Sequence, residues 1–300
     1  MRELEFIEWI YTQGKFDPSV VQTGPGDDLA VVLCGPEGLL VGADQVLDGV
    51  HLIVAEHGPR AAGRKAMARN LSDVAAMAAL PLAAVATVSL PKGFSQHDAQ
   101  EIYRGLREIG DAFDCPLVGG DVGSWAHPLA VSVTILARPR GIEPVLRSGA
   151  KPGDAICVTG SFGGAWRSTK HLLFTPRIAE ARVLAGQFGV HAMIDVSDGL
   201  ARDLGHICRA SGVGAQVVAA GVPVSAAAGP AGLAGALHDG EDYELLFTLS
   251  QDAAGELLAK QPLGVSISRI GTIVAGDEMV LFDSAGQGKP LRPMGWEHQT

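Results

Sequence analysis

The chain has 300 residues, a length that usually divides into two domains, and 47% of them are hydrophobic. The formal net charge of −10 argues against a nucleic-acid binder that uses clustered lysine and arginine, but leaves open phosphate chemistry in which divalent metal ions supply positive charge. The four cysteines form no C-x-x-C pair, the acidic residues near the N-terminus predict that no ordinary signal peptide is present, and the most apolar stretch is too short for a membrane span and is broken by Pro81. We therefore expect a cytoplasmic protein with no zinc site and no membrane partner.

The first half of the chain predicts a mixed α/β layer with acidic residues at the ends of its elements. A short amphipathic helix is predicted over 3–13, then a hairpin of 29–34 with 39–41 that would bring Asp28 and Asp44 to one end of a sheet. Two carboxylates placed together repel unless a cation lies between them. Further predictions are a helix over 63–80 stopped by Pro81, strands at 82–90, 116–118 and 129–137, and a helix capped by Ser95.

Residues 141–154 contain two prolines and three glycines and predict a boundary between domains of residues 1–140 and 141–300. Beyond it, strands are predicted at 155–158, 215–220, near 245, at 265–274 and at 279–282. Residues 193–200 are predicted to begin a helix, with Ser197 or Asp198 as its N-cap. The glycine-rich turn at 159–164 lacks the P-loop pattern, so an ordinary loop is favoured over a phosphate cradle. Together these elements predict an α/β (α+β) fold.

Asp73 is the only acid in an otherwise apolar stretch of helix. A buried carboxylate must be paired, hydrogen-bonded or bound to a cation; the alternative is that Asp73 lies on the solvated face of the helix. Asn70 is three residues earlier, on the same face, and is expected to help orient it. Five more acids lie at ends of predicted elements, mostly beside glycine: Asp28, Asp44, Asp121, Asp195 and Asp198. Hard oxygen ligands without a competing Cys or His cluster favour Mg²⁺ or Ca²⁺, and so many of them suggest several Mg²⁺ ions shared with a polyphosphate.

Nine stretches carry a resemblance that runs from about residue 5 to residue 298. They are GDD at 26–28, DGVH at 48–51, GRKAMARNLSDVAAMAALP at 63–81, YRGL at 103–106, LVGGD at 117–121, RSGAKPGD at 147–154, IDVSDGLARDLGHI at 194–207, GEDYELLF at 240–247 and GWEH at 295–298. In combination they resemble the thiamine-monophosphate kinase family. That family belongs to the PurM-like superfamily, with aminoimidazole ribonucleotide synthetase, hydrogenase maturation proteins and selenophosphate synthetase.

The resemblance implies a two-domain PurM-like fold whose N-terminal mixed sheets pair across a homodimer, with a C-terminal α/β domain. It implies direct phosphoryl transfer from ATP to thiamine phosphate, with no side-chain nucleophile and no covalent intermediate. The residues that match family sites fall into three groups. Metal ligands are Asp28, Asp44, Asp73, Asp121, Asp195 and Asp198; ATP contacts are Tyr103, Gly120, Asp121, Arg147 and Ser197; thiamine phosphate contacts are His51, Glu241 and Trp296.

Three departures from the family pattern stand out. Gly42-Ala43 replaces the usual hydroxylated pair before Asp44, and Gln45 and Val122 replace hydroxylated residues that are common after the acids. The segment from Gly164 to Pro176 is short and lacks the customary helix, which changes one wall of the cleft.

Two other functions remain open on the sequence. One is a superfamily relative that uses ATP on another phosphorylated or carboxylated small molecule. The other is a catalytically silent nucleotide-binding homodimer.

Overall fold

The computed structural model describes residues 17–35 and 37–296, so the helix predicted over 3–13 lies outside the described residues. Within those ranges the chain forms two mixed sheets, of six and seven strands, with helices packed on them. None of the helices in the described part is long and apolar enough to cross a membrane.

The first sheet is built from the N-terminal part of the chain. Its strands are β1 (Val21–Thr23), β2 (Ala30–Val32), β3 (Leu39–Leu47), β4 (Leu80–Pro91), β5 (Leu117–Trp125) and β6 (Ala130–Arg138). They lie in the order β1-β2-β3-β6-β4-β5, and every neighbouring pair is antiparallel except β4 with β5. The predicted hairpin is β2 with β3, in which Ala30 pairs with Val41. Strand β3 continues to Leu47, so Asp44 lies inside a strand rather than at its end.

Three helices accompany this sheet: α1 (Val54–His57), α2 (Pro59–Ala76) and α3 (Gln96–Ala112). Helix α2 is buried on nearly all sides, since twelve of its 18 residues are buried. It crosses α3 at two glycines. A Cβ on Gly63 would lie 2.0 Å from the carbonyl oxygen of Ile102, and one on Gly105 would lie 2.0 Å from that of Arg60. The two backbones therefore touch where any side chain would hold them apart.

The end of α2 differs from the prediction that Pro81 stops it. Ala78 is left-handed, with φ 52°, and its N–H donates to Ala75, while the N–H of Ala79 donates to Val74. This is a Schellman turn, and it ends the helix at Ala76. Pro81 lies inside β4 instead, at an irregularity in the pairing with β6, where its missing N–H is tolerated.

The second sheet is built from the C-terminal part of the chain. Its strands are β7 (Ala155–Thr159), β8 (Ala192–Asp195), β9 (Gly214–Val218), β10 (Leu245–Leu249), β11 (Ile267–Val274), β12 (Met279–Phe282) and β13 (Gly288–Pro290). They lie in the order β13-β12-β9-β11-β7-β10-β8, and only β9 and β12 pair in parallel. The helices of this part are α4 (Lys170–Leu173), α5 (Ile178–Phe188), α6 (Leu200–Ser211), α7 (Gly232–His238) and α8 (Gln251–Lys260), with 3-10 turns at Ala219–Gly221 and Ala226–Ala231.

Two further predictions of local structure are corrected. The strand predicted at 116–118 is longer than expected, since β5 continues to Trp125 because β4 pairs with it along that whole length. Residues 193–195 form a strand, and the helix begins only at Leu200, with Gly199 as its N-cap residue. The Asp203 carboxylate accepts the backbone N–H groups of Asp198 and Gly199, each at 3.1 Å, and so does the work predicted for Ser197 or Asp198.

The two parts of the chain share one hydrophobic core. Buried Leu71 of α2 and Phe247 of β10 belong to the same cluster, so α2 lies between the two sheets. Arginines add polar links across the same boundary. Arg182 of α5 donates to the carbonyl oxygens of Ala78, Pro139 and Arg140. The site described next lies along α2, between elements that these contacts hold together.

Candidate active site

Three acids from three separate elements meet beside α2. Asp28 precedes β2, Asp73 lies in the last turn of α2, and Asp195 ends β8; one carboxylate oxygen from each lies within 4.8 Å of the others. We call these three residues the carboxylate cluster. The Ser72 hydroxyl donates to Asp195 at 2.5 Å, which ties β8 to α2 at this point.

The charges of the cluster oppose one another. Burial, followed by repulsion from Asp195 and Asp44, raises the pKa of Asp73 well above its usual range. Burial and the Asp28 carboxylate raise the pKa of Asp195 to about 7, against a hydrogen bond from Ser72 that lowers it. Closely spaced carboxylate oxygens whose repulsion is only partly relieved by their neighbours form a donor set that suits a hard divalent cation such as Mg²⁺. Asp73 is partly buried and faces this cluster, which disfavours the solvated-face alternative.

Two arginines border the cluster. Arg147 binds the Asp28 carboxylate with both Nε (3.1 Å) and Nη2 (2.8 Å), and its backbone N–H donates to Asp27. Burial disfavours the charge of Arg147, but the Asp28 carboxylate outweighs it and raises the pKa of the guanidinium. Arg69, one turn before Asp73 on α2, pairs with Asp44 at 2.7 Å. Both arginines thus compensate part of the negative charge at the edge of the cluster.

Asp198 belongs to a second group of possible ligands, with Asp203 and His206 of α6, whose side chains lie within 4.8 Å of one another. Burial, followed by Asp198 and Asp195, raises the pKa of Asp203 well above its usual range. The prediction did not include Asp203 or His206. Their spacing of five and eight residues from Asp198, at the start of an amphipathic helix, was the signal that could have found them.

The three residues predicted to hold thiamine phosphate line one pocket of about 290 Å³, which we call the acceptor pocket. His51 is buried, and its Nδ1 accepts the Leu47 N–H at 3.0 Å, which fixes the ring. Glu241 is held in the left-handed region at φ 62°. Trp296 is 49% exposed. The volume is close to the lower limit of small-molecule pockets, roughly 300 Å³.

The loop after β8 connects the acceptor pocket to the acids. The Ser197 carbonyl accepts the Glu241 N–H at 2.7 Å, and the Asp198 carbonyl accepts the Trp296 N–H at 2.9 Å. Two walls of the pocket are therefore fixed to backbone that directly follows Asp195 of the carboxylate cluster.

Lys65 of α2 is a residue of this site that the sequence analysis did not assign. It is fully buried, and its Nζ donates to the His51 carbonyl (2.6 Å), to Nδ1 of His171 (2.9 Å) and to the Glu241 carboxylate. All three donors of the ammonium group are thus in use. Burial lowers the pKa of Lys65 to about 8, while Glu241 opposes that shift.

Tyr103, Gly120 and Asp121 line a different space, a cleft of about 520 Å³ between α3 and strands β4 and β5. We call it the β5 cleft. Two strands, β6 and β4, separate β5 from β3, so the strand of Asp121 lies roughly 14 Å from that of Asp44.

The sheet register also sets Asp121 apart from Asp44. Asp44 pairs directly with Val133 of β6. Asp121 pairs with Thr87 of β4, and Thr87 pairs with Ser132 of β6, the residue before Val133. Because side chains alternate along a strand, Asp44 and Asp121 point to opposite faces of the sheet. Asp121 lies outside the carboxylate cluster, and its assignment as a metal ligand remains a prediction.

Asn70 does not orient Asp73 as the sequence analysis expected. Its amide nitrogen donates to the Ala66 carbonyl at 2.9 Å, one turn back along α2, and its Oδ1 is buried without a hydrogen-bond partner. The i, i+4 contact competes successfully because the helix is buried on this side.

Comparisons with known proteins bear on this arrangement. Residues 26–138 match the AIR synthase related protein, N-terminal domain, and residues 151–284 match its C-terminal domain. The thiamine-monophosphate kinase of Rhodopirellula baltica is 35% identical, in an alignment that covers 99% of this chain and 97% of that protein. The chain belongs to the thiamine-monophosphate kinase family. The kinase of Caulobacter vibrioides is also 35% identical, over 94% of this chain and 84% of the relative.

Solved structures agree with membership of the thiamine-monophosphate kinase family. AaThiL complexed with AMPPCP and TMP superposes with a TM-score of 0.83 at 26% identity, covering 99% of this chain and 97% of that one. The thiamine-monophosphate kinase of Stenotrophomonas maltophilia K279a gives a TM-score of 0.75 at 32% identity, covering 95% and 96%. A HypE-HypF complex, at 17% identity and a TM-score of 0.76, shares the fold.

The residues that depart from the thiamine-monophosphate kinase pattern have identifiable surroundings in the structure. A Cβ on Gly42 would lie 2.3 Å from Cδ2 of Leu29, so the Leu29 side chain occupies the space that a hydroxylated residue would need. Gln45 still serves Asp44 through its backbone, because its N–H donates to the Asp44 carboxylate at 3.1 Å. The short segment after Gly164 contributes α4, with Trp166 in the acceptor pocket.

Proposed function

We propose that this member of the thiamine-monophosphate kinase family transfers the γ-phosphoryl group of ATP to thiamine phosphate. An oxygen of the acceptor phosphate attacks the γ-phosphorus, the bond from that phosphorus to the β–γ bridging oxygen breaks, and thiamine diphosphate and ADP leave. No side chain acts as nucleophile, since positioning and charge neutralisation suffice for this transfer.

The observation that carries the proposal is the loop after β8. It begins with Asp195 of the carboxylate cluster, and its carbonyls at Ser197 and Asp198 hold Glu241 and Trp296 of the acceptor pocket. A small molecule in that pocket would present its far end to a group of carboxylates. This arrangement suits an acceptor with an aromatic ring at one end and a phosphate at the other.

The carboxylate cluster is proposed to hold Mg²⁺, with Asp44 and Asp198 at its margins and Asp121 in the β5 cleft. Mg²⁺, when bound, neutralises the charge on the transferring phosphoryl group and on the acceptor phosphate. The chain itself supplies the oxygen ligands and the arginine that aligns Asp28.

ATP is proposed to bind with Tyr103, Gly120 and Asp121 of the β5 cleft, and with Arg147 and Ser197. Glycine is required at position 120 by the sheet itself, because a Cβ there would lie only 1.8 Å from the carbonyl oxygen of Ala86 on the paired strand β4. Arg147 is engaged with Asp28 through two hydrogen bonds, so it can reach a phosphate only by sharing or exchanging that contact.

A homodimer in which the N-terminal sheets meet is also proposed. Strand β5 is at the edge of its sheet, and Val118 and Val122 on it are 65% and 68% exposed. Val85 of β4 is 40% exposed on the sheet face opposite the helices. Apolar side chains at an open edge and an open face favour burial against a second copy.

The direct test supplies the purified protein with ATP, Mg²⁺ and thiamine phosphate and measures ADP and thiamine diphosphate together. Equal amounts of both are expected, with neither formed when Mg²⁺ is removed. ADP without thiamine diphosphate, or ADP only with a different phosphorylated or carboxylated acceptor, would replace this function by that of a superfamily relative. Nucleotide binding without turnover on any acceptor would indicate a silent homodimer.

A further inference from the structure

Trp166 is an exposed aromatic residue that the proposed mechanism does not use. It lines the acceptor pocket together with Trp296 and is 43% exposed. It comes from the short segment after Gly164, which departs from the family pattern. One wall of the pocket is therefore formed by a segment that departs from that pattern.

One face of the Trp166 indole is already covered. The His171 ring stacks on it at 4.4 Å between centroids and 17° between planes. His171 is fully buried, and burial, with help from Lys65, lowers its pKa to about 3, so it is neutral. Because one face lies on His171, the exposed area of the indole belongs to the other face and the ring edge.

The indole is held as a rigid platform. His171 accepts the Lys65 ammonium at 2.9 Å, and the same ammonium binds the His51 carbonyl and the Glu241 carboxylate. The start of the segment is fixed too, since the Gly164 N–H donates to Asp239 at 3.0 Å. A stacking surface that is fixed before a ligand arrives costs little ordering entropy on binding.

We propose that the open face of Trp166 binds the aminopyrimidine ring of thiamine phosphate. The charges around the indole select between the two rings of the acceptor. The Lys65 ammonium lies 5.7 Å from the centre of the Trp166 ring, and Arg167 lines the same pocket. The acids that also line the pocket, Asp239 and Glu241, offer the cationic thiazolium a more favourable place than the indole does. A cation already beside an indole weakens its attraction for a second cation, so the neutral aminopyrimidine is favoured here over the cationic thiazolium.

This inference rests on the proposed function for the identity of the acceptor, and the experiment separates the two. Trp166→Leu should raise the KM for thiamine phosphate about tenfold, the effect of losing one aromatic stack, and leave the KM for ATP unchanged. Trp166→Phe should restore most of the loss. Trp125→Leu, which removes an indole that is 39% exposed on β5, is the matched control and should change neither constant.

Binding of the phosphorylated thiazole half-molecule, which lacks the pyrimidine, identifies the ring. Calorimetry should give it equal affinity for the unmutated protein and for Trp166→Leu; a tenfold loss there as well would overturn the ring assignment. A KM for thiamine phosphate within twofold of the unmutated value in Trp166→Leu would overturn the stacking role.

The role of Trp166 can be tested even if the proposed function is wrong. If the unmutated protein does not phosphorylate thiamine phosphate, binding of thiamine itself is measured by calorimetry. Binding that Trp166→Leu weakens and Trp166→Phe keeps supports the platform without the kinase activity. Absence of binding, or binding that ignores Trp166, rejects it.

Discussion

The Asp73 carboxylate lies in surroundings that disfavour its ionised form. Its carboxylate lies within 4.8 Å of those of Asp28 and Asp195, and burial and repulsion raise its pKa. Such a residue destabilises the protein when it is ionised without a cation, and it stabilises the protein when a cation binds. The carboxylate cluster therefore lowers the stability of the metal-free protein, and this is the cost of a site that can bind metal.

Replacing Asp73 with asparagine tests this cost. Asp73→Asn should lower phosphoryl transfer by about two orders of magnitude or more, because one of the three converging carboxylates is lost. The thermal midpoint of the metal-free variant should rise above that of the unmutated protein, and the rise that Mg²⁺ gives the unmutated protein, roughly 5 °C at saturation, should largely disappear.

Asp111→Asn is the control for that experiment, because Asp111 is an exposed helical acid that pairs with Arg107, far from the carboxylate cluster in sequence. It should leave both activity and the Mg²⁺ response unchanged. An Asp73→Asn protein with normal activity, or with a normal Mg²⁺ response, would remove Asp73 from the metal site.

Lys65 gives the stability of the protein a specific pH dependence. Burial lowers its pKa to about 8 in the folded protein, against about 10.4 for a lysine in an unfolded chain. Between these values the unfolded chain binds more protons, so the contribution of Lys65 to the free energy of unfolding rises with pH. The penalty for burying the charge is complete below about pH 8 and is gone above about pH 10.4.

Lys65→Met removes the titrating group. The free energy of unfolding of the unmutated protein minus that of Lys65→Met should increase by about 2–3 kcal/mol from about pH 8 to about pH 10, measured by denaturant titration. Lys260→Met, at a lysine that is 60% exposed, should show no such slope. A flat difference for Lys65→Met would mean that the buried ammonium keeps an ordinary pKa.

At the scale of elements, the crossing of α2 and α3 depends on the absence of two side chains. Gly63→Ala should destabilise the protein by about 3 kcal/mol, since its Cβ would meet the Ile102 carbonyl oxygen at 2.0 Å and the helices would have to separate. Gly255→Ala is the matched control on α8, where a Cβ meets nothing within 4 Å. It should stabilise the protein by about 0.5–1 kcal/mol through helix propensity.

Thermal midpoints of the two variants give the comparison. Gly63→Ala should lower the thermal midpoint and Gly255→Ala should raise it, although both add the same methyl group to a helix. Equal shifts would mean that the crossing relaxes at no cost.

The elements also show what the sequence could and could not predict. Hydrophobic runs and the Ser95 cap predicted most strands and α3 correctly, because local patterns determine them. The end of α2 was wrong because a left-handed Ala78 gives no local signal, whereas Pro81 gives a strong one. The helix start near 199 was wrong because its cap comes from Asp203, further along the chain, and not from the residue before the helix.

The site was predictable as a set of residue types but not as an arrangement. The resemblance selected His51, Glu241 and Trp296, and they line one pocket. Lys65 was missed because a lysine in an apolar helix reads as a solvated residue until its three partners, which lie far away in sequence, are known. Asp121 was grouped with the other acids, although sheet order, which the sequence does not contain, sets it apart.

The whole molecule is expected to be a homodimer, and the open face of the first sheet offers a test. In solution the assembly should have about twice the mass of one 31.1 kDa chain by light scattering. Val85→Asp places a charge on that face and should shift the population towards monomer.

Val218→Asp, at a residue of β9 that is 47% exposed in the second sheet, is the control and should leave the mass unchanged. A protein that is monomeric before mutation, or a dimer whose mass does not change in Val85→Asp, would rule out this face as the interface.

The division of the chain into domains at residues 140 and 141 remains a prediction.

Helix α2 fixes the distance between the acceptor pocket and the carboxylate cluster. Lys65, Arg69 and Asp73 follow one another at four-residue intervals and reach Glu241, Asp44 and the carboxylate cluster, respectively. Lys65 and Asp73 are thus separated by about 12 Å along a rod that the core holds on nearly all sides. Inserting or deleting one residue between them would rotate one end by about 100° relative to the other. The number of residues in this stretch therefore sets both the separation and the relative direction of its two functional ends.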